Sequence, residues 1–201
     1  EETLNDFHQK KIDILVGTQM LSKGHNFENV NLVVVLGIDS QLNFPDFRSN
    51  ERVYQTLTQV SGRAGRFGKK AEVLIHTLSP ENNIFSYLIK PTFDEFYLDE
   101  LTFRRQCSSP PYNKIIMIYF NGTKQDEVIQ MSLQQTKLLE HLCSLHFKEV
   151  EVLGPKPSTI EKKVNKFTWS VMIRSLNLNQ LHNCLKSFEA NYPQKSPISL
   201  K

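Results

Sequence analysis

The sequence predicts an α/β unit built on a parallel sheet, followed by a small α+β sandwich, and three observations carry that expectation. Residues 12–17, 32–37 and 72–77 are short apolar runs, the first two closed by glycine, and they lack the polar alternation of a one-sided strand. Between the second and third lies residues 49–61, where Val53, Leu57 and Val60 recur at helical spacing, as a crossover helix requires. Beyond Ser108-Ser109-Pro110-Pro111, a cluster that stops regular structure, the pattern changes to β-α-β-β-α. The boundary is therefore placed there, giving domains 1–106 and 107–201.

Taken in order, the chain opens on a helical pattern without an initiating methionine, which suggests a piece of a longer protein. Strand 12–17 comes next, then strand 32–37. Ser49 is positioned to cap the helix over 49–61. Residues 80–106 are helical, with Phe85, Leu88, Phe93, Phe96, Tyr97 and Leu101 apolar and Pro91 dividing them into two pieces. In the second domain the strands are predicted over 115–120, 150–153 and 167–174, and the helices over 125–145 and 179–191. Val128, Met131, Leu138, Leu139 and Leu142 line one helix face and read as a docking stripe for the sheet. Residues 198–200 open a last, short strand.

Composition bounds the function. Of 201 residues, 39% are hydrophobic, enough for a real core, and the formal net charge of +3 permits an anionic partner without demanding one. The three cysteines, Cys107, Cys143 and Cys184, are widely spaced and fit neither a disulfide framework nor a C-x-x-C metal site, so they read as packing residues and no metal ligands are expected. No apolar run approaches the ~20 residues of a membrane helix. A cytoplasmic protein without membrane contact is the expectation.

Two stretches carry chemistry. Gln59-Val60-Ser61-Gly62-Arg63-Ala64-Gly65-Arg66 holds two arginines three residues apart between glycines. Guanidiniums offer planar forks of donors to phosphate oxygens, and Gly62 and Gly65 let the backbone turn tightly and approach a ligand. A basic turn in a solvated loop is the alternative. After strand 12–17 comes Gly17-Thr18-Gln19-Met20-Leu21-Ser22-Lys23-Gly24-His25-Asn26-Phe27, at a strand's carboxyl end, where open α/β sheets bind ligands. Thr18 offers a hydroxyl to a phosphate, Lys23 a charge and Gly24 an unobstructed backbone; a plain strand-to-helix turn is again the alternative.

These two blocks, with Pro45-Asp46-Phe47-Arg48-Ser49 and Glu51-Arg52 between them, closely resemble the primosomal protein N-prime (PriA) family of replication-restart DNA helicases in superfamily 2. The outer blocks look like helicase motifs V and VI. The resemblance covers nearly the whole chain: residues up to about Tyr97 look like the later part of the second RecA-like motor lobe. Pro110-Pro111-Tyr112 and Val152-Leu153-Gly154-Pro155-Lys156-Pro157 look like the family's C-terminal domain. It implies a partial RecA-like helicase lobe followed by a fork-binding domain, within an ATP-driven 3′-to-5′ DNA helicase that restarts replication at stalled forks.

Carried over residue by residue, Arg63 and Arg66 match the motif VI arginines at the ATP phosphates, with Arg66 the finger and Gln59 a supporting contact. Thr18 matches the motif V threonine on a DNA phosphate, and Gly24 its glycine. Asn26 stands where many relatives carry aspartate. Asp39 follows an apolar strand and fits either a family carboxylate or a strand-end turn. A second DNA surface is Lys156, Lys162, Lys163 and Lys166, leading into Phe167 and Trp169, which either stack on bases or pack under the first helix of the domain.

The chain contains no Walker phosphate loop and no DExH-type box, so it is expected to hydrolyse no ATP alone. The acidic pairs Asp94-Glu95 and Asp99-Glu100 read as solvated helix faces. ATP and Mg²⁺ are expected to bind the full-length protein. Zinc is a family feature whose cysteines are expected upstream of Glu1. Forked and single-stranded DNA are the expected partners, with single-stranded-DNA-binding protein and primosome loading proteins implied by the family. The alternatives are a catalytically inactive nucleic-acid-binding or protein-docking module and another superfamily 2 repair helicase.

Overall fold

The computed structural model describes residues 2–18, 30–62, 72–90, 92–163, 165–192 and 199–200. The chain divides into two compact units, residues 1–100 and 101–201. Helix α5 runs through that division.

Unit 1 contains α1 (Glu2–His8), β1 (Leu32–Val35), α2 (Ile38–Leu42), α3 (Ser49–Ser61), β2 (Glu72–Ile75), α4 (Asn83–Ile89) and the start of α5 (Phe93–Gln106). β1 and β2 pair in parallel, Leu32 opposite Glu72 through Val35 opposite Ile75. The core lies on one side of this pair. Ile38, Val53, Leu57 and Ile84 are at most 3% exposed, with Val35 and Ile75 packed against them. Tyr54 and Phe96 join them as stacked rings 4.2 Å apart.

Three expectations for this unit need correction. Residues 12–17 form no strand, and Ile14 and Val16 stand well exposed. An apolar run becomes a parallel strand only when a neighbour takes up its backbone groups, and no such pairing exists among the described residues. The strands are also not buried on both faces: Leu32, Val34 and Leu74 are about half exposed, because helices cover one face only among the described residues. Ser49 does not cap α3. It is the first helical residue, its hydroxyl donates to the Phe44 carbonyl, and Arg48 holds the cap position.

The acidic pairs of α5 also divide differently from expectation. Asp94, Glu95 and Asp99 are exposed, and Asp99 accepts a hydrogen bond from the Tyr87 hydroxyl, whereas Glu100 is buried. The helical period accounts for this, since Glu100 falls four residues after Phe96 on the inward face.

Unit 2 is the sandwich. It holds β3 (Lys114–Gly122), α6 (Gln125–His146), β4 (Glu151–Lys163), β5 (Lys166–Ser175), α7 (Leu178–Asn191) and β6 (Ser199–Leu200). The sheet is antiparallel, in the order β4-β5-β3-β6. α6 and α7 pack on one face, where Phe120, Val128, Leu139, Val171, Ile173, Leu181, Cys184 and Phe188 lose all contact with solvent. The predicted α6 stripe is this interface. Cys143 and Cys184 meet inside it with their Sγ atoms 3.6 Å apart, while Cys107 is exposed.

β4 is far longer than the four residues predicted. It is an edge strand, which is where Pro155 and Pro157, lacking N–H donors, are tolerated. Its register against β5 shifts between Leu153 and Lys156. Gly154 sits at that shift with φ +117°, a conformation other residues rarely adopt.

Candidate functional site

α3 carries the first candidate residues. Val53 and Leu57 anchor it to the core, so Gln55, Thr58 and Gln59 project on its outer side. With Tyr54 and Phe93 they line an open cleft of about 340 Å³. Gln59 is thus an accessible amide in the last turn of the helix. Gly62 ends that turn with its N–H on the Thr58 carbonyl at 2.9 Å.

The tight turn expected at Gly62 is not present. The Gly62 φ of −69° and ψ of −8° are right-handed helical values open to any residue, so the backbone turns no more tightly here than in a helix. Gly65, Arg63 and Arg66 lie outside the described residues, as do Lys23, Gly24 and Asn26. Thr18 is described: it is exposed, in a segment without regular structure.

A second set of groups gathers where the two parallel strands end. Gly37, with φ +71°, turns the chain from β1 into α2. Asp39 in the first turn of α2 then accepts from the Thr77 hydroxyl at 2.7 Å and from the Leu78 amide at 3.1 Å. Thr77 Oγ1 in turn accepts from the Ser79 amide. The Thr77 hydroxyl, followed by the Leu78 amide and the charge of His76, holds the Asp39 carboxyl below its usual range against a smaller desolvation effect. Asp39 therefore ties the exit of β2 to α2, which favours its strand-end role over a ligand-binding one.

Next to it is a knot that sequence reasoning did not resolve into roles. Asp46 Oδ1 accepts from the Arg48 amide at 2.9 Å and lies 3.5 Å from Arg48 Nε, while Oδ2 is 3.0 Å from a terminal nitrogen of Arg52. Burial alone would raise the Asp46 pKa; the Arg48 amide and the charges of Arg52 and Arg48 together outweigh it and leave it lowered. Arg48 also lies over the Phe47 ring, 5.1 Å from its centre. The signal was the Pro-Asp-Phe-Arg-Ser block itself: an aspartate two residues before one arginine and six before another, at a helix start.

In unit 2, Lys156 and Lys166 are exposed on the β4–β5 hairpin. Lys162 and Lys163 lie on the β4 backbone, and their side chains are outside the description. Phe167 and Trp169 pack against the sandwich core, opposite Gly122 and Phe120 of β3. Of the two readings of these aromatics, packing under the helices is the one the contacts favour. No group of three or more His, Cys, Asp or Glu side chains able to hold a metal occurs among the described residues. No described helix is long and apolar enough to cross a membrane.

Comparison with known proteins joins the two units. Residues 1–68 match the helicase conserved C-terminal domain, and residues 105–201 match the primosomal protein N C-terminal domain. The chain is 32% identical over its whole length to Replication restart protein PriA of Haemophilus influenzae, of which it covers 27%. The chain belongs to the PriA family. It corresponds to the C-terminal part, since residues 105–201 match the family's C-terminal domain; PriA of Borreliella burgdorferi is 30% identical over 100% of this chain and 30% of the relative. PriA of Chlamydia muridarum is 40% identical over 87% of this chain and 23% of the relative. The chain thus spans between about a quarter and a third of these relatives. The mixed α/β architecture, a parallel pair followed by an antiparallel sandwich, agrees with the predicted fold class.

Proposed function

We propose that this chain is the C-terminal portion of an ATP-dependent 3′-to-5′ DNA helicase that restarts replication and assembles the primosome at stalled forks. The observation that carries this reading is the order of the two matched regions, helicase domain then PriA C-terminal domain, across one chain similar throughout to replication restart proteins.

In this reading α3 delivers the nucleotide-sensing run. The helix ends at Gly62, and the next residue is Arg63. Arg63 and Arg66 contact the ATP phosphates across the cleft between motor lobes, and Arg66 stabilises the charge that spreads over the leaving γ-phosphoryl group. An arginine in that role contributes roughly a thousandfold or more in rate. Gln59, in the last turn, supports the same contact, and Gly62 and Gly65 keep side chains out of its way. ATP and Mg²⁺ bind only when the other lobe, carried elsewhere in the full-length protein, closes; zinc, too, is held outside this chain. Thr18, Lys23 and Gly24 contact a DNA phosphate, and Lys156, Lys162, Lys163 and Lys166 contact the fork. Single-stranded-DNA-binding protein and primosome loading proteins are partners of the assembled protein.

The test is the fork-stimulated ATPase rate of the full-length protein carrying Arg66→Ala, once folding and DNA binding are confirmed. A fall of about a hundredfold or more is expected. An unchanged rate would transfer the glycine-arginine run to a DNA clamp or a surface turn, and the non-catalytic binding module would become the better reading.

A further inference from the structure

We propose that Arg48 and Arg52, aligned by Asp46, form a phosphate-binding site for a nucleic-acid strand at the first turn of α3, at the opposite end of that helix from Gln59 and Gly62. The inference deepens the DNA-helicase reading and rests on it.

Position comes first. The Asp39 bonds to Thr77 and Leu78 fix α2 at the end of the sheet where β1 and β2 both terminate. The Ser49 hydroxyl on Phe44 O fastens the first turn of α3 to the segment leaving α2. Arg48 and Arg52 therefore stand on the carboxyl-end side of a parallel pair, the side on which open α/β sheets receive ligands. α3 then carries the chain away for thirteen residues to Gly62.

Charge and geometry follow. One carboxylate serves two guanidiniums, so these three groups by themselves carry a net positive charge. Each arginine side chain is 50% exposed, against 18% for Asp46. A guanidinium has five N–H donors, and Asp46 engages one edge of each, leaving outward-facing donors held in a fixed direction. Glu51, the other charged group of that turn, accepts from the Gln55 amide and keeps its negative charge, so the turn as a whole is formally balanced and the two guanidiniums are distinguished by their directed donors. No side chain caps α3, so the positive end of the helix adds to the same field. Two arginines four residues apart on a helix, both half in solvent, suit successive oxygens of a phosphodiester chain.

The test uses the full-length protein and arginine-selective labelling with phenylglyoxal, read peptide by peptide by mass spectrometry. Free protein is expected to be labelled at both residues. A forked oligonucleotide without nucleotide should slow that labelling at least about threefold, while MgATP alone should not. The variant Arg48→Gln/Arg52→Gln, if folded, should lower the slope of log affinity against log salt by about 1–2. Labelling unchanged while fluorescence anisotropy shows the fork bound would overturn the proposal and leave the helicase reading intact, as would protection by MgATP but not by DNA. A parent protein that binds no DNA would remove both.

Discussion

Three glycines differ enough in their surroundings to be ranked by the cost of adding one methyl group. At Gly154 the backbone φ is +117°, and a Cβ would lie 3.1 Å from the Ser170 carbonyl oxygen and 3.4 Å from Val171 Cα. Neither neighbour can retreat, because β5 is paired on both edges and Ser170 is 2% exposed. The backbone strain alone is worth about 1–3 kcal/mol, and the fixed contact places Gly154→Ala near the top of that range. Gly37, at φ +71°, has nothing within 4 Å of an added Cβ. Only the left-handed conformation opposes Gly37→Ala, at about 1–2 kcal/mol, offset by the ~0.4–1 kcal/mol that a stiffer unfolded chain returns. Gly62 is right-handed, and its nearest contact, 3.3 Å to Thr58 O, is with its own helix, so Gly62→Ala should shift stability by less than about 0.5 kcal/mol.

The assay is thermal unfolding of the chain, with Trp169, its single tryptophan, reporting unit 2 and circular dichroism the whole. For units of about 100 residues each kcal/mol moves the midpoint by roughly 4–8 °C, so Gly154→Ala should lower the fluorescence transition by about 10–20 °C. Gly37→Ala should leave that transition alone and lower the other by about 5 °C. A Gly154→Ala chain melting with the parent, or Gly62→Ala costing as much as Gly37→Ala, would refute the reasoning.

Two further outcomes follow from the sandwich. Because Trp169 packs against the core, adding single-stranded DNA to the chain, in which it is the single tryptophan, should leave its emission unchanged; strong quenching that saturates with DNA would restore the stacking role. Cys107 should be the only one of these three thiols to react rapidly with a disulfide reagent in the folded chain, since Cys143 and Cys184 are buried and each other's neighbours, and the Cys143 thiol together with burial pushes Cys184 up. Rapid titration of all three would mean that α6 and α7 open freely.

Elements with a strong period were legible, and elements fixed by particular contacts were not. α3 and α6 were found to within a residue or so because each repeats an apolar stripe over several turns. α2 has five residues, too few to show a period, and exists because Gly37 turns the chain and Asp39 holds Thr77. β4 runs on beyond the four predicted residues through two prolines, which only a place at the sheet edge makes acceptable. Residues 12–17 looked like a strand in composition, but strand formation is a property of pairs and no pair is present among the described residues. For the candidate site, residue type pointed to Gln59 and Gly62, and their place at the end of α3 could be foreseen from the helix. The Asp46 knot could not. Its bonds depend on how the loop before α3 folds, and a sequence pattern shows the partners without showing which of them meet.

α3 has a mechanical meaning that neither end reveals alone. At about 1.5 Å per residue its thirteen residues make a stiff rod of about 20 Å. Val53 and Leu57, both wholly enclosed, clamp it near its middle. Arg48 and Arg52 at one end and Gly62 at the other are therefore held at a fixed separation, with no loop between them to let it vary.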